Sequence, residues 1–303
     1  MEAKKVNLME WGYFGEGGTA VSFCNKQNGN LFLKLNKAGY PEQLTWEEFN
    51  ASKLFGEMGL PTPAVYDYVT DGERFGYVGE RIKGKVSFAR ILSNEPSRRE
   101  EIARRFALMA RDLHGTKADT TRMKSCLDNF RSYLGDLSFV PSDVADKVRK
   151  CLDRFNDVPF CLHGDFNPGN VISNEGREYW IGVNSFMYGD PYWDLATLYI
   201  IANCIPSRVV KERYHLSPSE LRAFCQSFGR HYLGDSWDSV EVRSRIQDAV
   251  VVRCCALIRR NPRNAYLYVP FIRGKKFLFR LRLAIMNGAR NSGTPFDIAG
   301  CKA

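Results

Sequence analysis

Two textures of apolar and polar residues divide the chain. Over roughly the first 90 positions, short apolar runs alternate with glycine-rich and polar turns. Trp11 to Phe23 reads as strand, glycine turn, strand, and Leu31-Phe32-Leu33-Lys34-Leu35 as a further strand. Thr45 to Met58 reads as a helix: Thr45 stands as N-cap, Glu48 lies three residues on as in a capping box, and Trp46, Phe49, Leu54 and Phe55 supply an apolar face. Gly59-Leu60-Pro61-Thr62-Pro63 ends it. Ala64 to Val69 and Phe75 to Ile82 then form a strand pair about the turn Asp71-Gly72.

Beyond Gly84 the period lengthens. Ile102, Phe106, Met109, Ala110 and Leu113 share one face of a helix over 98–114, and helices follow over 127–134 and 144–155. Residues 160–172 read as loop, Tyr179 to Val183 as a short strand, and nearly everything from Tyr192 onward as helix. The pattern predicts an α+β chain: a small β-rich part over 1–82 and a larger helical part over 83–303.

Composition narrows the function classes. Apolar residues make up 44% and charged residues 25%, ordinary values for a globular chain and unlike those of disordered or coiled-coil sequences. The longest apolar stretch, Leu195 to Ile205, is too short to span a bilayer, and Met1-Glu2-Ala3-Lys4-Lys5 leads into no apolar segment, so neither a membrane span nor a secretory signal is expected. Nine cysteines, an odd number with no CxxC pair, fit free thiols in a reducing cytoplasm.

Residues with chemical potential cluster in four places. Gly15-Glu16-Gly17-Gly18-Thr19-Ala20 lies between two strand-like runs, where glycine lets backbone N–H groups approach a phosphate closely; a plain hairpin turn reads equally from the same residues. Lys34 puts one ammonium amid an apolar strand and wants an acidic partner, for which Glu48 and Glu47 both stand on the next helix. In His163-Gly164-Asp165-Phe166-Asn167-Pro168-Gly169-Asn170, an Asp and an Asn five positions apart in a Gly/Pro loop fit phosphoryl transfer: Asp165 would accept a hydroxyl proton and Asn170 would give its carbonyl oxygen to Mg²⁺. In Gly189-Asp190-Pro191-Tyr192-Trp193-Asp194-Leu195-Ala196, the two acids read as helix-capping residues.

Taken in order, the glycine turn, Lys34, Glu48, HGDFNPGN at 163–170 and GDPYWDLA at 189–196 resemble the aminoglycoside phosphotransferase and choline kinase family over residues 10–205. The resemblance implies a protein-kinase-like two-lobe fold and transfer of phosphate from ATP, with Mg²⁺, to a hydroxyl of a small molecule. It implies Asp165 as catalytic base and Asn170 as metal ligand. It implies a nucleotide site made by Gly15, Gly17, Gly18, Thr19, Lys34, Glu48 and the Glu80–Ile82 hinge. Glu48 lies 13 residues ahead of Pro61, the family's usual interval, which favours it over Glu47. One position departs: seven residues before Gly189 the family commonly has a metal-binding Asp, and this chain has Gly182. The loss implies impaired catalysis or, as the alternative, a nucleotide-binding pseudokinase with a regulatory or scaffolding role, unless Asn184 or Asp190 substitutes.

The charge is uneven. Of the net +9, residues 241–303 contribute 13 Lys/Arg against three acids, or +10, while the other 240 residues contribute 30 against 31, or −1. In the resembled family, this region walls the acceptor cleft. Basic helices over 241–290, with Arg243, Arg245, Arg253, Arg259, Arg260, Arg263, Arg273, Lys275, Lys276, Arg280, Arg282 and Arg290, would then favour a neutral or anionic acceptor over a polycation. Residues 271–286 suit a helix and an alternating strand equally, and with no recognition motif beside the charge a nucleic-acid partner is not expected.

Overall fold

The computed structural model describes residues 2–260 except Gly18, Pro141 and Pro206, and leaves aside the side chains of Ile258 and Arg260. The described residues fall into two compact units. Residues up to Phe88 together with Pro168–Phe186 form one, and Ala89–Asn167 with the chain from Met187 onward form the other.

The first unit is built on strands β1 (Lys4–Lys5), β2 (Trp11–Glu16), β3 (Ala20–Asn25), β4 (Leu31–Asn36), β5 (Val65–Thr70) and β6 (Phe75–Glu80), in the sheet order β1-β5-β6-β4-β3-β2. The two faces of β4 explain the sheet, because successive side chains point to opposite sides. Leu33 and Leu35 pack with Trp11, Val69 and Val78 on one side. Phe32 turns to the other, where Phe49, Tyr68 and Tyr77 form a cluster under helix α1 (Glu42–Glu57).

Helix α1 corrects the expected cap. It begins at Glu42 with Pro41 at its N-cap, so Thr45 is an interior residue, fully buried, and its hydroxyl receives the Asn36 side-chain amide at 2.7 Å. Proline supplies no side-chain cap, but its fixed φ of −61° suits the entry to a helix. The stretch read as loop over 160–172 holds strand β8 (Cys161–Leu162), a 3₁₀ turn at Pro168–Asn170 and the start of β9 (Val171–Asn174). β9 pairs with β7 (Val86–Ser87) and β10 (Arg177–Trp180). Those pairings, with the Trp180 N–H on the Pro61 carbonyl at 2.8 Å and Phe55 against Phe186 at 4.7 Å, tie the 168–186 segment into the sheet unit.

The second unit is helical: α2 (Phe88–Asn94), whose first residue belongs to the sheet unit, α3 (Arg99–Gly115), α4 (Cys126–Tyr133), α5 (Ser142–Leu152), α6 (Tyr192–Asn203), α7 (Ser207–Tyr214), α8 (Pro218–Leu233) and α9 (Val240–Arg260), with β8 pairing β11 (Met187–Tyr188). α3 packs on α8, and α6 on α8 and α9. α6 is buried almost all round, from Trp193 through Ala202, which accounts for its apolar run without an amphipathic face. Among the described residues no helix is long and apolar enough to cross a membrane. Residues 261–303, which include Arg263 through Arg290 and the ambiguous 271–286 segment, lie outside the described residues.

At Gly76, β6 leaves no room for a side chain beside β4. A Cβ there would lie 1.8 Å from the Lys34 carbonyl oxygen. Gly76→Ala is therefore expected to push the two strands apart and to destabilise the protein by about 3 kcal/mol, read by thermal or urea unfolding. An unchanged midpoint would show that the strands can part without cost.

Candidate active site

In the sheet unit, β4 aims Lys34 toward α1, and its ammonium pairs with the Glu48 carboxylate. Glu48 is buried, and its Oε1 also accepts the Tyr77 hydroxyl at 3.2 Å. The Lys34 ammonium lies 5.6 Å from the Tyr77 ring centroid. Burial and the adjacent carboxylate hold the Tyr77 hydroxyl well above its ordinary pKa, so it stays a donor. Glu47, the other candidate partner, instead accepts the Gln43 amide at 3.2 Å. Nothing in the sequence singles out Tyr77; its place beside Lys34 follows from the β4–β6 register, in which the two residues are direct partners.

The turn over 15–20 closes as a hairpin. The Gly17 N–H donates to the Ala20 carbonyl at 2.8 Å, Thr19 accepts the Lys37 N–H at 2.9 Å, and Glu16 pairs with Lys37 at 2.5 Å. A Cβ at Gly15 would meet nothing within 4 Å, and Gly18 is outside the described residues. At the end of β6, the Glu80 carboxylate accepts the Ala64 N–H at 3.1 Å and its own N–H donates to Ala64 at 2.7 Å. Ile82, just beyond the strand, is half-buried.

Asn170 and Gly182 are neighbours in this unit: the Ile181 N–H donates to the Asn170 carbonyl at 2.9 Å, and a Cβ on Gly182 would lie 3.1 Å from Asn170 Oδ1. Gly182 has φ 70° and ψ 34°, the left-handed region. Asn184 is a neutral amide in the 3₁₀ turn Val183–Ser185, and Asp190 is engaged by the Arg245 guanidinium and by the Tyr192 N–H at 3.0 Å. A resident divalent cation takes most of its affinity from carboxylates. Of the pair, Asn170 offers a cation a neutral side-chain oxygen and Gly182 offers none.

In the helical unit, the loop after β8 is organised by a group the sequence reading took for a cap. Asp194, with no solvent exposure, accepts the His163 N–H at 2.7 Å on Oδ2 and the Gly164 N–H at 2.9 Å on Oδ1. His114 Nε2 lies 3.2 Å from Oδ2. An ionised carboxylate only accepts, so that nitrogen carries a hydrogen; the other ring nitrogen lies 2.7 Å from the Tyr232 hydroxyl. Burial pushes the Asp194 carboxyl up; the His114 hydrogen bond and nearby positive charge, Arg253 included, outweigh it and hold the carboxyl below the ordinary range.

The loop itself continues this order. The Asp165 N–H donates to His163 Nδ1 at 3.2 Å, and the Asn167 amide donates to the Asp165 carbonyl at 2.9 Å and to its Oδ1 at 3.2 Å. Phe166 is fully buried against Phe106 at 4.7 Å, His114 at 5.4 Å and Phe228 at 5.8 Å. Between these anchors the Asp165 side is exposed. The arrangement presents one carboxylate on rigid backbone, open to an incoming hydroxyl.

Four arginines of the basic stretch have partners within the helical unit. Arg243 faces Asp238 at 3.9 Å, and Arg245 pairs with Asp190 over the Phe155 and Tyr192 rings. Arg253 donates to the Gly164 carbonyl at 2.6 Å, and Arg259 to the Asp136 carbonyl over the Tyr133 and Phe139 rings.

Comparison with known proteins follows the same outline. The profile of a family described as "Phosphotransferase enzyme family" matches residues 14–241. No curated protein sequence matches the chain. Among solved structures, a thermostable mutant of aminoglycoside phosphotransferase APH(4)-Ia in its apo form superposes with a TM-score of 0.62 at 14% identity, covering 93% of this chain and 95% of that one. A choline/ethanolamine kinase family protein from Mesorhizobium loti gives 0.52 at 18%, covering 91% and 92%. Amicoumacin kinase hAmiN, in complex with AMP-PNP, Ca²⁺ and Ami, gives 0.55 at 14%, covering 97% and 92%. At these identities the likeness establishes the kinase-like fold.

Asp194→Asn would leave one acceptor oxygen for two backbone donors and set an amide hydrogen against His114. The expected loss is about 3 kcal/mol in urea unfolding. The Asp194 pKa is lowered on folding, so its contribution is complete above the unfolded value, about 3.9, and disappears as pH falls through the lower folded one. The acid limb of stability below about pH 4 should accordingly flatten in the variant. A variant with wild-type stability and an unchanged acid limb would contradict this account of Asp194.

Proposed function

Because the chain belongs to the phosphotransferase enzyme family, we propose that it moves the γ-phosphoryl group of ATP to a hydroxyl of a small molecule. The observation that carries the reading is Asp165: an exposed carboxylate on a loop whose backbone is fixed by a buried carboxylate, Asp194. Asp165 accepts the hydroxyl proton. The hydroxyl oxygen bonds to the γ-phosphorus, the bond from that phosphorus to the β–γ bridging oxygen breaks, and ADP leaves. Lys34, held by Glu48, positions the α- and β-phosphates, the turn over 15–20 covers them, and backbone at Glu80–Ile82 meets the adenine. A solved structure of this fold carries AMP-PNP, which favours ATP as the donor. Asn170 is the residue that would offer Mg²⁺ a side-chain oxygen.

A second reading, a nucleotide-binding pseudokinase, has one observation in its favour: Gly182, beside Asn170, carries no side-chain oxygen, and Asp190 is held by Arg245. Both readings are testable on the same protein. For the phosphotransferase, ATP should raise the melting temperature, and turnover on a panel of hydroxylated acceptors should fall roughly 100-fold or more in Asp165→Asn. Asp is among the residues that tolerate the left-handed backbone of position 182, so Gly182→Asp should fold and strengthen the Mg²⁺ dependence. ATP binding with no turnover in the natural chain, and turnover appearing in Gly182→Asp, would give the pseudokinase reading the preference. No ATP shift at all would sink both.

A further inference from the structure

The peptide unit between Gly164 and Asp165 is held at both of its polar atoms. Its N–H, on Asp165, donates to His163 Nδ1 at 3.2 Å. Its carbonyl, on Gly164, accepts Arg253 Nη2 at 2.6 Å. A peptide unit is planar, so fixing both atoms fixes the plane and with it the direction in which Asp165 leaves the backbone. This peptide has reason to need fixing. Gly164 has φ 81°, and glycine takes positive and negative φ with similar ease, so residue 164 alone does little to hold the plane.

The other hydrogen bonds described above for His163, Gly164, Asp165 and Asn167 come from the loop itself or from Asp194. Arg253 comes from α9, 89 residues along the chain, and beyond the 14–241 stretch that matches the family, so the family match assigns it nothing. Its guanidinium lies 5.8 Å from the Phe130 ring centroid, which steadies its plane, and it adds to the attraction that keeps Asp194 ionised. Two turns earlier on α9, Arg245 grips Asp190, at the start of the segment that leads to Asp194. One helix thus reaches both sequence blocks that build the loop.

We propose that Arg253 is a positioning residue for Asp165, acting through the Gly164 carbonyl. The catalytic half of this rests on the reading of Asp165 given above; the structural half does not. A charge-assisted hydrogen bond to a carbonyl with no other strong donor among the described residues can be removed while Asp165, His163 and Asp194 all stay in the chain.

The test uses hydrogen–deuterium exchange on the full chain, with turnover measured alongside. Arg253→Met should speed exchange at Gly164 and Asp165 by roughly tenfold or more, leaving the 134–140 segment as in wild type. Arg259→Met, on the same helix, should do the reverse, because Arg259 holds the Asp136 carbonyl. Arg253→Lys, which keeps a donor and the charge, should recover part of the protection, and it decides the matter if the Met variant fails to fold. In turnover, Arg253→Met should lower kcat roughly tenfold or more with KM for ATP little changed. Wild-type exchange at Gly164 and Asp165 in Arg253→Met overturns the proposal. So does faster exchange spread evenly over the loop and α9, which would make Arg253 a packing residue, and so does an unchanged kcat in an active enzyme. A wild-type chain that binds no ATP and turns nothing over sinks the phosphotransferase reading instead, and the exchange data still judge the Arg253 clamp.

Discussion

A carboxylate removed from water must find its hydrogen-bond donors inside the protein, and Asp194 finds them in two consecutive backbone N–H groups and one imidazole. That requirement shapes the helical unit. It brings the start of α6 against the loop after β8, keeps a hydrogen on His114 Nε2, and sends the chain on so that Phe166 turns inward while Asp165 turns outward. Removing any one donor would strand charge in a medium where stranded charge is costly, so the loop has little freedom to rearrange. An exposed acid is thereby kept rigid by a buried one.

The sheet unit solves a related problem at lower stakes. Lys34 is partly open to solvent, yet its partner Glu48 is buried and shared with the Tyr77 hydroxyl. Sharing matters, because a buried carboxylate with a single partner would be poorly satisfied. Close approach of β4 and β6 at Gly76 places the Lys34 backbone, and the aromatic cluster of Phe49, Tyr68 and Tyr77 places α1. The ion pair is therefore set by packing on both sides of it.

Local patterns in the sequence reached far, and their failures have physical causes. Lys34 and Glu48 were legible because a lone ammonium in an apolar strand needs an acid, and the interval to Pro61 chose between two glutamates. Thr45 was misread because an N-cap signal is only as good as the start of the helix, and Pro41 begins this one a turn earlier. Asp194 looked like a capping acid because its position near a helix start is local information. Its real partners lie 30 and 31 residues away in sequence, and nothing in composition or period encodes that apposition. The arginines of α9 were read together as a field of charge. In the folded chain those described have separate partners, carbonyls and carboxylates among them, which no count of charges could separate.

Gly182 carries an implication for descent. Its backbone already occupies the left-handed basin, the one such region where Asp and Asn are the usual occupants besides glycine. Codons for glycine and aspartate can differ at a single base. A lineage could therefore lose or regain a carboxylate at this point without refolding the loop around it, the chief adjustment being a few tenths of an ångström at the Asn170 amide. The site is poised, in evolutionary terms, one mutation from its alternative.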